Sequence, residues 1–249
     1  MPAILITGCS SGFGLETAQL FLDRGWDVVA TMRTPDHKLI RAFDRLRILQ
    51  LDVTDPASVH RAVTDAGLID ALVNNAGFGV PSPIELTGPD IARAMFETNT
   101  LGTLAMTQAV LPSFRERRSG VIINVSSSTT LKSQPMVGVY RASKAAVNSL
   151  TETLAVEARE FGVRAHLVIP GSAPGTRFGD NGIPHLQGRD NADYGPIIER
   201  MVAHMRNQSG PITHPSDVAA AIWRCATDPS SPFRLAAGRD AEALMTDGE

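Results

Sequence analysis

Short apolar runs alternate along this chain with stretches of helical periodicity, and that alternation calls for repeated strand–helix–strand units that build a parallel sheet. Runs at Ala3–Thr7, Trp26–Thr31, Leu46–Leu51, Ile69–Asn74, Val121–Ser126 and Val163–Ile169 read as strands, with Phe233–Ala237 as a further edge strand. Most of them are apolar almost throughout rather than alternating, as expected where helices cover both faces of a sheet. Between them, Leu15, Ala18 and Leu22 form one stripe of a first helix, Gly138–Phe161 reads as a long helix, and Pro215 opens a late one through Ala226. In 249 residues there is no internal repeat and no linker, so the reading is a single α/β domain, a doubly wound Rossmann-type parallel sheet. One stretch breaks the rhythm. From Gly171 to Thr213 the chain is rich in Gly, Pro, Asn and Asp, and only Tyr194–Asn207 reads as helix. It follows the sixth strand, so it starts at the carboxyl edge of the sheet, where such folds bind ligands; residues 172–213 are expected to form a substrate lid.

The turn after the first strand reads Thr7-Gly8-Cys9-Ser10-Ser11-Gly12-Phe13-Gly14. Glycines between a strand and a helix permit a tight turn and let the backbone approach a pyrophosphate, which then rests on helix N-terminal N–H groups. The spacing is not the common G-x-G-x-x-G, so the inference rests on the strand–glycine–helix context. Cys9 reads as a small filler, with no base placed near it in sequence. The second strand ends at Thr31-Met32-Arg33, where an NAD-binding fold would carry an acid for the ribose 2′-hydroxyl. Arg33 suits a 2′-phosphate instead, with Ser10 or Ser11 as a further donor. NADP(H) is the expected cofactor, and NAD(H) the second choice, through Asp36.

Tyr140 and Lys144 stand four residues apart on the long helix and so share a face. A neighbouring ammonium favours phenolate, which would bring a phenol pKa normally near ~10 toward neutrality and make Tyr140 a usable acid or base.

Taken together, Thr7-Gly8-x-x-x-Gly12-x-Gly14, Asn74-Asn75-Ala76-Gly77, Asn124-Val125-Ser126-Ser127, Tyr140-x-x-x-Lys144 and Pro170-Gly171 resemble, in order and spacing, the short-chain dehydrogenase/reductase family over about the first 170 residues. The resemblance implies hydride transfer between a nicotinamide and an alcohol or carbonyl carbon, usually in a homodimer or homotetramer. It implies Ser127 orienting the substrate oxygen, Tyr140 moving the proton, and Lys144 lowering the tyrosine pKa while holding the nicotinamide ribose. Asn99 corresponds to the family's helix asparagine, which supports a proton-relay water. Asp52 and Val53 fall at the adenine, Asn75, Ala76 and Gly77 beside its ribose, and Phe13 in the glycine turn. Neighbouring strand-end side chains point opposite ways, so only one of Ser126 and Ser127 should face the substrate, and the resemblance implies Ser127. After Pro170-Gly171 the family has a threonine four residues beyond the glycine; here Thr176 stands one position later. The tail Phe233–Ala241 also departs from the usual ending and is nearer to the branch holding steroid- and retinol-type dehydrogenases.

Net charge is −3 with no basic run, which argues against nucleic acid as a partner. No apolar stretch reaches the ~18 residues of a membrane span, and the start lacks a signal-peptide pattern. Two cysteines make no disulfide framework, and the six histidines have no metal-ligand spacing, so no metal is expected and a cytoplasmic location is. His166 on an apolar strand reads as a satisfied core residue. The partner is expected to be a small carbonyl or alcohol compound, in a pocket that Val137, Phe178 and Ile183 make partly apolar. A dinucleotide-binding sensor without chemistry is the alternative from another class, but it would be expected to lack Ser127, Tyr140 or Lys144. A dehydratase or epimerase on the same scaffold is a further rival.

Overall fold

Each apolar run becomes a strand because both of its faces are covered. In β1 (Ala3–Ile6), Ile4 and Ile6 enter one core while Ala3 and Leu5 enter the other, and none of the four is more than slightly exposed. The computed structural model describes residues 1–41, 43–206 and 210–246. Its strands are β1, β2 (Asp27–Met32), β3 (Leu46–Gln50), β4 (Ala71–Asn74), β5 (Gly120–Val125), β6 (Val163–Pro170) and β7 (Arg234–Ala237). They pair in the order β3-β2-β1-β4-β5-β6-β7, every pair parallel, with Ile4 opposite Val28 on one side and Ala71 on the other. The order reverses between β1 and β4, and the crevice at their carboxyl ends is where this architecture takes its ligand. The doubly wound Rossmann-type sheet is present as read, including the edge strand at β7.

The helices are α1 (Gly12–Asp23), α2 (Pro56–Ala66), α3 (Pro89–Phe96), α4 (Gly102–Arg117), α5 (Gly138–Arg159), α6 (Phe178–Gly182), α7 (Gly195–Arg206), α8 (Pro215–Thr227) and α9 (Arg239–Thr246). Helices α1 and α8 pack on one face of the sheet around Phe21, Leu22, Val218 and Ile222. Helices α2, α4 and α5 cover the other through Val59, Met106, Phe114 and Leu154. Asp55 starts α2 by accepting the Ala57 N–H at 2.9 Å, and Pro56 follows at the first helical position, where its missing N–H costs nothing.

The stretch after β6 is less irregular than its composition suggests. Tyr194–Asn207 appears as α7, with Asn207 and the rest of 207–209 outside the described residues, but α6 is a helix that the sequence did not announce. Gly179, Asn181 and Gly182 oppose helix by propensity, and α6 forms by packing against the loop after β4: a side chain at Gly182 would collide with the Gly79 carbonyl. The segment is pinned on its outer side too. Gln187 accepts the Gly88 N–H at 2.7 Å, the Tyr194 hydroxyl donates to Glu85 at 2.7 Å, and Ile198 and Val202 pack on Met136.

The α1–α8 contact that holds the glycine turn in place rests on one aromatic cluster. Phe21 is fully buried, with ring centroids 5.1 Å from Trp26 and 5.0 Å from Trp223 in edge-on geometry. Phe21→Ala is expected to cost about 3–5 kcal/mol, the usual range for a phenylalanine removed from a packed core. Leu68→Ala, at an exposed position, should stay within ~0.5 kcal/mol of wild type. Urea denaturation followed by tryptophan fluorescence measures both.

Candidate active site

The site begins with a clasp between β1 and β4. The Thr7 hydroxyl oxygen accepts the Asn75 and Ala76 N–H groups, each at 2.9 Å, and the Asn75 side-chain amide donates back to the carbonyls of Thr7 (2.9 Å) and Gly8 (3.1 Å). The Asn75 side chain thereby fastens the glycine turn. The turn is folded tightly enough that a side chain at Gly14 would meet the Gly8 carbonyl and come within 2.6 Å of the Asn75 amide. Gly8 has φ +75° and lies against the Ala76 backbone. Ser11 precedes α1 without capping it through its side chain, so no capping hydroxyl takes the first-turn N–H groups. A backbone cradle of this kind, ending in a helix N-terminus, fits the diphosphate of a dinucleotide. Ser10 is exposed beside it, Phe13 packs partly into the core, and Thr176, in the segment after β6, lies against Gly12. Cys9 is inside the turn and fully buried; burial pushes its thiol up to about 12, in keeping with a filler.

Arg33 is exposed just beyond β2, and Asp52 lies just beyond β3. Hydrogen bonds from the Thr54 N–H and hydroxyl hold the Asp52 carboxyl below its ordinary value, with a smaller contribution from the Arg33 charge. The Val53 side chain packs on α4, where a side chain at Gly102 would meet it at 2.6 Å, so only its main chain can face a ligand. Pro170 is buried as the last residue of β6, and the Gly171 N–H is taken by Thr213 and Ala237. Neither presents a donor to a cofactor.

The second half of the site lies at the ends of β5 and α5. Ser126 and Ser127 diverge: the Ser126 hydroxyl donates to Asn148 on α5, whereas the Ser127 hydroxyl hydrogen-bonds the Tyr140 phenol and accepts from Thr129. Lys144 is buried one turn after Tyr140, its Nζ donating to the Val125 carbonyl at 2.9 Å. Gly77 brings the loop after β4 to this point, since a side chain there would lie 2.9 Å from the Asn99 amide oxygen and 3.3 Å from Lys144 Nζ. Asn99 is fully buried in a π-helical turn, Glu97–Leu101, joining α3 to α4. Its amide oxygen accepts the Phe78 N–H, and its amide nitrogen donates to the Phe78 carbonyl and the Ser143 hydroxyl, all within 3.0 Å. Widened turns of this kind are common at functional sites because they re-aim a side chain. Ser143 and Phe78 are the partners that sequence reasoning missed; Ser143, inside Tyr140-Arg141-Ala142-Ser143-Lys144, stood between two assigned residues.

One expectation is reversed. Burial pushes the Tyr140 phenol up to about 12, against a smaller lowering by Ser127, and burial pulls Lys144 down to about 8. Desolvation penalises both charged forms, so in this structure Lys144 does not bring the phenol toward neutrality. Tyr140 is covered by Phe178 at the start of α6, with ring centroids 5.3 Å apart, while Val137 packs beside it and Ile183 is more exposed. His166 is the satisfied core residue expected of it, its ring nitrogens beside the Pro232 carbonyl (3.0 Å) and Arg164 (3.1 Å). Among the described residues no helix is long and apolar enough to cross a membrane.

Comparison with known proteins gives one answer. The family model for short chain dehydrogenase matches residues 2–181. Over 247 residues the chain is 38% identical to a 3-ketodihydrosphingosine reductase of Bacteroides thetaiotaomicron, covering 97% of this chain and 90% of the relative. Among solved structures, a short-chain dehydrogenase of Streptomyces avermitilis superposes with a TM-score of 0.88 at 32% identity, covering 99% of this chain and 91% of that one. A short chain dehydrogenase of Burkholderia cenocepacia in complex with NADP gives 0.79 at 26%, covering 98% and 91%.

The depressed lysine makes a stability prediction independent of any substrate. Lys144 titrates near 8 when folded and near its ordinary 10.5 when unfolded. Between those values the unfolded chain binds more protons, so the contribution of Lys144 to stability rises with pH across that window. Lys144→Met is therefore expected to be more stable than wild type at pH 7, by at most about 3 kcal/mol, with the gain shrinking by pH 10. Denaturant unfolding of both proteins at the two pH values checks the sign and the trend.

Proposed function

Because this chain belongs to the short-chain dehydrogenase/reductase family of oxidoreductases, we propose that it reduces a hydrophobic ketone or aldehyde with NADP(H), Tyr140 giving the proton to the carbonyl oxygen. The observation that carries this reading is the buried constellation of Ser127, Tyr140 and Lys144, with the Ser127 hydroxyl bonded to the phenol. Burial holds the phenol protonated at neutral pH, so Tyr140 carries the proton that a reduction requires. The 3-keto substrate in the name of the Bacteroides relative supports a ketone, and the Phe178, Val137 and Ile183 surroundings of Tyr140 support an apolar one.

The nicotinamide, when bound, supplies a hydride to the carbonyl carbon. The chain's own residues do the rest. The glycine turn and the α1 N-terminus hold the diphosphate, with Thr176 closing over Gly12. Ser127 donates to the substrate oxygen and fixes it beside the phenol. Tyr140 releases its proton to that oxygen as negative charge builds there, and the lid keeps water out. Lys144 binds the nicotinamide ribose, and Asn99 holds the Phe78 backbone and Ser143 around the lysine. A cytoplasmic homodimer or homotetramer is our reading of the assembly, supported by the exposed Leu150 and Val156 on α5.

A sensor would bind dinucleotide without turnover, and one experiment separates the two. A panel of ketones, aldehydes and sterols, followed by NADPH absorbance with NADH run beside it, identifies a substrate. With that substrate Tyr140→Phe is expected to lower turnover ~10²–10⁴-fold, the usual worth of a general acid, while leaving NADPH affinity near wild type. Ser127→Ala should cost much more than Ser126→Ala, whose hydroxyl is spent on Asn148. Near-wild-type turnover by Tyr140→Phe overturns the assignment.

Cofactor choice is tested separately. Arg33 is exposed where a 2′-phosphate would stand, and its guanidinium can pair with phosphate through two N–H groups. Asp36 faces its own loop, accepting the Lys38 N–H at 2.9 Å, which argues against its holding a ribose. Arg33→Ala is expected to reduce the NADPH-over-NADH preference in kcat/KM by roughly ten- to a hundredfold, the worth of a charge-assisted hydrogen bond. A wild-type preference for NADH, or an unchanged ratio in the variant, rejects this role.

A further inference from the structure

The two ends of the lid meet at one carboxylate. Asp240, in the first turn of α9, accepts the Ser172 N–H at 2.5 Å through Oδ2, where the chain leaves β6 for the lid. Its Oδ1 accepts the hydroxyl of Thr213, where the chain returns, at 2.7 Å. Thr213 is almost fully buried, and the rest of the junction closes around it: its N–H donates to the Ser172 carbonyl at 2.8 Å, and its hydroxyl oxygen accepts the Gly171 N–H at 2.9 Å. That hydroxyl also lies 2.9 Å from the Ala237 carbonyl, so its single proton is shared between Asp240 and Ala237. The junction leaves no room for side chains. One at Gly171 would collide with the Asp240 carboxylate, and one at Gly238, where φ is +97°, would collide with Thr213.

We propose that Asp240 is a positioning residue that clamps both hinges of the 172–213 lid and thereby holds Phe178 over Tyr140. Among the described residues its side chain bonds Ser172 and Thr213, at the two ends of the lid, and it acts through the lid. The hinge N–H of Ser172 and hydroxyl of Thr213 would each have to find another acceptor for the lid to swing, and a carboxylate is the strongest acceptor a side chain offers them. The tail after β7, which departs from the family's usual ending, thereby acquires a role, because it brings α9 and its carboxylate back to the carboxyl edge of the sheet. The effect on catalysis rests on the proposed reductase activity, but the clamp itself does not.

Hydrogen exchange of the full chain, with and without NADPH, tests the clamp. In Asp240→Ala, peptides at 171–177 and 210–213 should exchange roughly ten- to a hundredfold faster than in wild type, the loss of a charge-assisted bond at each hinge, while β1, β4 and β5 exchange as before. Asp240→Asn, which keeps one oxygen to accept from Ser172, should fall between, and Glu242→Gln on the same helix should match wild type. With the carbonyl found in the NADPH screen, Asp240→Ala should raise KM more than it lowers kcat. Wild-type exchange at both hinges, or equal acceleration in the central strands, overturns the proposal; if the alanine variant does not fold, wild-type exchange in Asp240→Asn overturns it. Failure to oxidise NADPH with any of the carbonyls offered, together with the hinge effect, would contradict the reductase reading and leave the clamp standing.

Discussion

The clasp between Thr7 and Asn75 is the contact on which the site depends. A doubly wound sheet opens a crevice wherever its strand order reverses, and here the crevice lies between β1 and β4. Left to themselves the two loops leaving those strands would have no common geometry. Four hydrogen bonds join them: two N–H groups of the β4 loop end on the Thr7 hydroxyl, and the Asn75 amide ends on the Thr7 and Gly8 carbonyls. These groups are partly buried, so each bond also relieves a desolvation cost that an unpaired amide would bear. The clasp sets the glycine turn at the end of α1 and, two residues further on, brings Gly77 against Asn99 and Lys144. One contact thus registers the phosphate end of the site against the catalytic end.

The sequence was informative where the physics is local or periodic. Strand runs, the α1 stripe, the glycine turn and the Tyr140–Lys144 spacing all follow from periods of two and 3.6 or from backbone sterics, and the structure contains each of them. The divergence of Ser126 and Ser127 followed from strand alternation alone. What could not be read depended on residues far apart in the chain. The clasp role of Asn75 shows only once Thr7 is folded beside it, and Asp240 has no motif at all until Ser172 and Thr213 arrive. Helix α6 is opposed by its own glycines and exists because of what it packs on. The pKa reversal belongs to the same class: spacing says that Lys144 is near Tyr140, but burial, a property of the whole fold, decides which charged form is tolerated.

That reversal bears on how the proton is supplied. With the phenol near 12 and the lysine near 8, the buried ammonium is the stronger acid of the two. A resting state with phenolate beside ammonium is therefore disfavoured, and Tyr140 keeps its proton until a stronger base than water appears next to it. In the proposed reduction that base is the carbonyl oxygen as it takes on negative charge, held by Ser127. On this reading the phenol proton is held for the substrate oxygen, and burial is what holds it there.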